Sequence, residues 1–323
     1  MRTRRLGHSD LDISVIGFGA WAIGGGDWLF GWGPQDDADS VATIRQAIDL
    51  GINWIDTAAV YGLGHSEQVV ARALAEIPVG QRPYVFTKSS LVWDQERQVS
   101  HSLRADSIRR EVEGSLLRLG VDVIDLYQIH WPRWGSSPAG WDPGSIDEGW
   151  QAMADLQKAG KVRFVGVSNF TRDDLARANA IAPVASLQPP YSLLRREAEA
   201  DLFPWCLEHG TGVIVYSPMQ SGLLTGTMTR ERLAALPGND WRRKGKFFQE
   251  PHLTHALALV ERLKVVGARH GRSPGEVAIA WTLRHPAVTA AIVGARRADQ
   301  LHDIVGAADL ELGDADVALL VSA

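Results

Sequence analysis

Asp56 and Tyr61 in the run DTAAVYG, Lys88 in VFTKSS and His130 in LYQIHWP are residue types that pass protons. Each falls at or just past the end of a short apolar run. A phenol can give its proton to a carbonyl oxygen, and a neighbouring ammonium makes that phenol a stronger acid by favouring the phenolate. Tyr61 is the expected acid and Lys88 its tuner. Taken one at a time, the four have plainer readings: a half-buried aromatic, a surface ammonium, a loop histidine, and a helix cap or ion-pair partner. The argument for chemistry is that several strand ends can converge on one point, as they do in a parallel barrel.

The elements that would position these residues follow from periodicity. Short apolar runs predict eight strands, at 15–19, 53–56, 84–88, 124–130, 164–168, 185–188, 212–216 and 290–294. Helical patterns alternate with them at 38–50, 66–75, 105–119, 146–159, 172–180, 198–209, 255–270 and 298–306. Such alternation argues for a parallel sheet, and eight units in about 300 residues argue for a (β/α)8 TIM barrel, α/β in class. RRLGHSDLDIS reads as an N-terminal β-hairpin closing the barrel bottom. Three connections, 24–36, 132–145 and 222–250, exceed ordinary loop length, which points to function at the C-terminal face. They carry Trp28, Trp32, Trp134, Trp141 and Trp241, suited to the walls of a substrate pocket.

One motif competes with the barrel. Gly17-Phe-Gly19-Ala-Trp-Ala22 reads as G-x-G-x-x-A after a strand, the start of a dinucleotide-fold fingerprint. A true fingerprint opens a helix, whereas this chain runs into Gly24, Gly25, Gly26, Gly31, Gly33 and Pro34, all helix breakers. A tight turn at the barrel mouth is the better reading.

Composition narrows the class. The 323 residues are 45% hydrophobic and 22% charged, enough for a large core, with a net charge of −5 and no basic stripe to hold nucleic acid. The N-terminus has early arginines but no apolar signal region, and no run reaches the roughly 18 apolar residues that span a bilayer. A cytoplasmic chain without nucleic-acid or membrane partners is expected. Cys206 is the single cysteine, so there is no intramolecular disulfide, and no Cys/His pair has zinc spacing. Cys206 reads as a helix residue near a core, and no metal is expected.

NWIDTAAVYGLGHSEQVVARAL, VFTKSS, IDLYQIHWP, VRFVGVSNF, LQPPYSLLRRE, VIVYSP and IVGARRADQL arrive in an order that resembles the successive signatures of the aldo-keto reductase superfamily. The resemblance covers essentially the whole chain, so one barrel domain over 1–323 is expected. GHSE, DLYQIHWP and QPPYSLL are similar to bacterial NADPH-dependent reductases of the inositol-operon and general-stress type, and more distantly to potassium-channel β subunits.

The resemblance implies NADPH-dependent reduction of an aldehyde or ketone to an alcohol. Tyr61 would protonate the carbonyl oxygen, Asp56 would hold Lys88 charged and oriented, and His130 would hydrogen-bond the substrate oxygen. Ser168, Asn169 and Gln188 would bind the nicotinamide carboxamide and Tyr216 would stack on the ring, with Ala20, Trp21 and Asp56 also counted among the cofactor contacts. Ser217, Pro218, Met219, Ser221, Gly222 and Leu223 would form a turn against the pyrophosphate, with Arg242 supplying a cation, although Arg243 and Lys244 compete for that role. Gly294, Ala295, Arg296, Gln300 and Asp303 would hold the adenosine end. A guanidinium at Arg296 or Arg297 suits a 2′-phosphate, which points to NADP(H). Ile304 stands where the family often has asparagine, which removes one adenine contact. Trp21, Trp93 and Trp131 are the expected lining for a small-molecule carbonyl substrate.

Other features read as structural. Glu111, Glu113, Arg109, Arg110 and Arg118 read as a solvated, ion-paired helix face. Trp141-Asp142-Pro143-Gly144-Ser145 reads as a turn into a helix, and RSPGEVAIAW as a helix start with Ser273 as cap and Pro274 first. A monomer is expected. Two other functions fit parts of the chain: an NADPH-binding redox-sensing regulatory subunit with little turnover, and a barrel lyase or isomerase, which would need a metal or phosphate site.

Overall fold

The structure is a computed structural model that describes residues 1–322 apart from 27, 29 and 136–140. An antiparallel hairpin, β1 (Thr3–Arg5) and β2 (Asp12–Ser14), precedes the first barrel strands, β3 (Ile16–Gly19), β4 (Trp54–Asp56) and β5 (Tyr84–Ser89). A second small hairpin follows, β6 (Leu91–Trp93) with β7 (Val99–His101). The remaining barrel strands are β8 (Ile124–Ile129), β9 (Val162–Ser168), β10 (Ser186–Gln188), β11 (Gly212–Tyr216) and β12 (Val288–Val293). The eight barrel strands pair in parallel and in chain order, with β12 returning to β3, so the barrel is closed. This excludes the dinucleotide-fold reading of Gly17–Ala22.

The alternation of side chains along a strand explains what the barrel does with its residues. Trp54, Phe86, Leu126, Ile214 and Ala290 form an apolar layer inside the barrel, and Leu6, Leu11 and Ile13 of the first hairpin close the bottom beneath it. Ile55, Val85, Tyr127 and Val215, one position away along each strand, belong instead to the core between barrel and helices. Two positions past the apolar layer, β4, β5 and β8 therefore present Asp56, Lys88 and Gln128 on the inner face. Gly17 makes room for the layer, because a Cβ there would lie 2.2 Å from the Trp54 ring.

The helices start where capping chemistry dictates. Asp36 caps Asp37–Asp49, Ser145 caps Ile146–Lys158, and Thr171 with Asp174 forms a capping box on Arg172–Asn179. Ser273 and Glu276 form another on Pro274–Leu283, with Pro274 in the first turn as expected. Cys206 is buried in the helix Leu202–His209. The second hairpin and the helix Asp314–Val321 are additions to the sequence reading. The 222–250 connection holds the short helix Arg230–Ala234 and three 3-10 turns, and part of the 132–145 connection lies outside the described residues. No described helix is long and apolar enough to cross a membrane.

The helix Ala105–Leu119 is in part the solvated ion-paired face expected, with Arg109 on Asp155, Arg110 on Asp106 and Glu113 on Lys161 in exposed pairs, but Arg118 and Glu111 turn inward. The Arg118 Nε donates to the fully buried Glu67 at 2.6 Å, and Glu67 also accepts from Thr87 Oγ1 at 2.6 Å. Glu111 accepts from the Ser90 N–H at 2.8 Å and from Ser107 Oγ at 3.0 Å, turned against the β5–β6 link rather than towards solvent. Burial pushes its carboxyl up to about 7.

Candidate active site

Asp56 closes β4, Lys88 lies on β5 and His130 directly follows β8, so neighbouring strands bring three of the four expected groups together. Tyr61 arrives from the turn after β4, its N–H bonded to the Ala58 carbonyl at 3.1 Å. The Lys88 Nζ donates to Asp56 Oδ1 at 2.5 Å and to the Thr57 carbonyl at 2.8 Å, and reaches the Tyr61 Oη at 3.4 Å. The Tyr61 and His130 rings meet edge to face, 5.6 Å between centroids. Lys88 and Asp56 are 1% and 3% exposed, Tyr61 and His130 9% each, so the ion pair sits behind the phenol and imidazole.

Burial dominates the electrostatics. It raises the Tyr61 phenol well above its ordinary value near 10, and the Asp56 charge raises it further. This is opposite to the expected direction: in this arrangement the phenol holds its proton firmly, chiefly because burial disfavours the phenolate. Burial also lowers Lys88, against the opposing pull of Asp56 and Glu67. His130 falls well below 6.5 through burial and the Lys88 charge, so the imidazole is neutral at neutral pH.

The second oxygen of Asp56 accepts from Gln188 Nε2 at 2.8 Å and more weakly from Gln128 Nε2 at 3.4 Å. Gln128 was not among the expected site residues, yet its position two residues before His130 on one strand carried the signal. Asn169, at φ 59°, donates to the His130 carbonyl at 2.9 Å and accepts from the Tyr216 hydroxyl at 2.8 Å. Ser168 Oγ donates to the Gln188 carbonyl at 2.8 Å.

These groups open onto one cavity of about 1410 Å³ at the C-terminal end of the barrel. It runs from Tyr61 and His130 past Tyr216, Ser217, Pro218, Met219, Ser221 and Gly222 to Arg242, Gly294, Arg296, Gln300 and Asp303. Ala20, Leu223 and Ala295 are buried behind this lining, at 0%, 0% and 3% exposure, and so present no side chain to the cavity. Arg243 is turned away, bonded to the Ala234 and Leu236 carbonyls, while Arg242 faces in, paired with Asp240 at 2.6 Å. Ile304 lines the wall as an apolar residue.

The turn after β11 fits a phosphate-bearing ligand. Ser217, Gln220 and Ser221 have φ of 57°, 47° and 54°, and Gly222 follows at 88°. Left-handed non-glycine residues are costly and cluster at ligand clamps. Three guanidinium groups, of Arg242, Arg296 and Arg297, line the same cavity.

Aromatic rings wall the catalytic end. Trp21 stacks near Tyr61 at 6.3 Å and on Trp241 at 5.3 Å, while Trp28 stands 5.9 Å from Tyr61. Trp131 and Trp134, 5.2 Å apart, line the same cavity, and Phe30 bridges Trp28 and Trp134. Two expectations fail here. Trp93 lies in the β6–β7 hairpin beneath the Arg118 guanidinium, off the cavity, because that unforeseen hairpin carries it away. Trp141 is 41% exposed, its indole N–H donating to the His101 carbonyl.

Comparison with known proteins agrees with this architecture. The chain is 38% identical over 303 residues to the Bacillus subtilis aldo-keto reductase YhdN, covering 93% of this chain and 87% of that one. It is 35% identical over 330 residues to the NADH-specific methylglyoxal reductase of Escherichia coli, covering 99% and 97%. The solved structure of the glycerol dehydrogenase AKR11B4 from Gluconobacter oxydans matches with TM-score 0.87 at 38% identity, covering 98% of this chain and 93% of that one. The holo form of AKR11C1 from Bacillus halodurans matches with TM-score 0.78 at 28% identity, covering 99% and 95%. The aldo/keto reductase family model matches residues 15–323, a span that contains all eight barrel strands, and the chain belongs to that family of oxidoreductases.

Proposed function

We propose that the protein reduces an aldehyde or ketone to an alcohol with NADPH, using Tyr61 as general acid. The observation that carries this reading is the single ammonium of Lys88 held against Asp56 at 2.5 Å and reaching the Tyr61 hydroxyl at 3.4 Å, next to a cavity. Bound nicotinamide dinucleotide would supply the hydride. The chain's own residues account for the rest. Tyr61 keeps its proton until charge develops on the substrate oxygen, and Lys88 then favours the phenolate left behind. His130, neutral, is suited to hydrogen-bonding the same oxygen. Asp56 keeps Lys88 protonated and fixes its position.

Ser168, Asn169, Gln188 and Tyr216 line the cavity, where the first three would hold a carboxamide and Tyr216 would offer a ring face, with the 217–222 turn and Arg242 meeting the phosphates. Arg296 and Arg297 favour a 2′-phosphate over a bare ribose diol, since no carboxylate occurs in residues 294–298 after β12. The Escherichia coli relative is named as NADH-specific, which makes NADH the competing nucleotide in the test. The relatives named for methylglyoxal and glycerol favour a small oxygen-rich substrate.

The test is NADPH consumption with a panel of small carbonyl compounds, for wild type and Tyr61→Phe, with NADH in parallel. Turnover by wild type is expected, and loss of the acid should reduce kcat by about 10²- to 10⁴-fold while leaving nucleotide affinity nearly unchanged. Full activity in Tyr61→Phe would sink the assignment. Nucleotide binding without turnover on any carbonyl would favour a regulatory, redox-sensing subunit.

A further inference from the structure

The Arg296 guanidinium is already occupied. Its Nε donates to Gln35 Oε1 at 2.7 Å, its Nη1 to the Trp32 carbonyl at 3.1 Å and its Nη2 to the Pro34 carbonyl. Gln35 completes the link in the other direction, its Nε2 donating to the Arg296 carbonyl at 2.9 Å and to Ser40 Oγ at 3.0 Å. Residues 32–35 are thereby tied to the segment after β12, across 261 positions of sequence.

The tied segment is also part of the substrate wall. The Trp32 ring lies 5.3 Å from Trp21 and 5.9 Å from Trp241, and Trp21 in turn packs 6.3 Å from Tyr61. Arg296 thus holds the backbone of Trp32, and the ring of that residue is two ring contacts from Tyr61. A guanidinium offers five N–H groups in a fixed planar fork, and one used on Gln35, Trp32 and Pro34 has few left for a phosphate.

We infer that Gln35 is a specificity-determining residue for the nucleotide, competing with the 2′-phosphate for Arg296 and holding residues 32–35 latched until that phosphate displaces it. The inference rests on the nucleotide-site reading above. Phosphate oxygens are stronger acceptors for a guanidinium than neutral amide and carbonyl oxygens, so they win the exchange. Burial together with the Arg242 charge disfavours the Arg296 cation as it stands, which a phosphate dianion would relieve. A ribose without the phosphate has no such claim on Arg296. NADP(H) and NAD(H) would then leave the tryptophan-lined wall in different states, coupling nucleotide choice to substrate fit.

Calorimetric titration of the full chain with 2′,5′-ADP and with 5′-AMP, together with hydrogen exchange of residues 30–36, tests this without involving turnover. In wild type, 2′,5′-ADP should speed exchange of 30–36 and 5′-AMP should not. Gln35→Ala, which removes the side-chain competitor and leaves the two carbonyls, should bind 2′,5′-ADP about fivefold tighter with unchanged 5′-AMP affinity. Gln35→Glu, which holds Arg296 harder, should bind 2′,5′-ADP more weakly. Equal or weaker binding of 2′,5′-ADP by Gln35→Ala, with the wild type binding normally, overturns the latch and leaves the nucleotide-site reading standing. Unchanged or slower exchange of 30–36 with 2′,5′-ADP bound does the same. If wild type binds neither nucleotide fragment, the site reading itself falls and takes the latch with it.

Discussion

The two ends of the cavity are built on opposite principles. At the catalytic end, Lys88 and Asp56 have side chains 0% and 4% exposed and sit on adjacent strands whose backbones are fixed by the barrel ladder. At the far end, Arg297 and Asp299 pair with side chains 61% and 67% exposed, and Arg296 spends its donors on loop carbonyls. A buried charge without its partner is strongly disfavoured, so the first arrangement has essentially one state. Exposed and loop-held contacts exchange readily with water or ligand, so the second can have two. The lesson is that the proposed catalytic end is preorganised while the proposed adenine end is exchangeable.

This contrast can be broken by experiment. Lys88→Met should lower stability by about 3–5 kcal/mol in urea unfolding, beyond abolishing turnover, because it leaves Asp56 buried and unpaired. A loss under about 1 kcal/mol would mean that the catalytic end is as adaptable as the adenine end.

Glu111 sharpens the comparison, since it is half-buried and turned onto the Ser90 N–H just past β5. Its folded-state carboxyl near 7 lies above its ordinary value of 4.5, so the folded form binds the proton more tightly than the unfolded chain does. The stability contributed by protonation is therefore complete below about pH 4.5 and is lost as the pH rises through about 7. Glu111→Gln should remove that dependence, gaining about 1–3 kcal/mol relative to wild type between pH 5 and pH 8. Parallel stability profiles for the two proteins over this range would show that Glu111 titrates normally. Arg297→Ala marks the lower limit: thermal denaturation should show no change in Tm, and a clear drop would reveal a structural role that its exposure does not suggest.

Much of the barrel was legible because its strands are short apolar runs separated by capped helices, and strand parity carries side-chain direction. Asp56, Lys88 and His130 could be placed at strand ends from that pattern alone. The β6–β7 hairpin was not legible: Leu91–Trp93 and Val99–His101 are three residues each, too short for a period to register, and missing it misplaced Trp93. Glu111 misled for a different reason. Its neighbours alternate in sign like a solvated face, but helix phase turns this carboxylate onto Ser90. Gln35 carries no local signal, since its partner Arg296 is 261 residues away.

The sequence by itself determined the order of the eight barrel strands and the helices between them, the Ser273 cap, the closed parallel architecture and the types of group that could do chemistry. These depend on local periodicity and on side chains satisfying nearby backbone. Tertiary structure alone decided the direction of the Tyr61 shift, the burial of Glu111 and the engagement of Arg296. Each of those depends on how much water a fold excludes and which distant groups it brings within hydrogen-bond reach, and neither quantity is a property of neighbours in sequence.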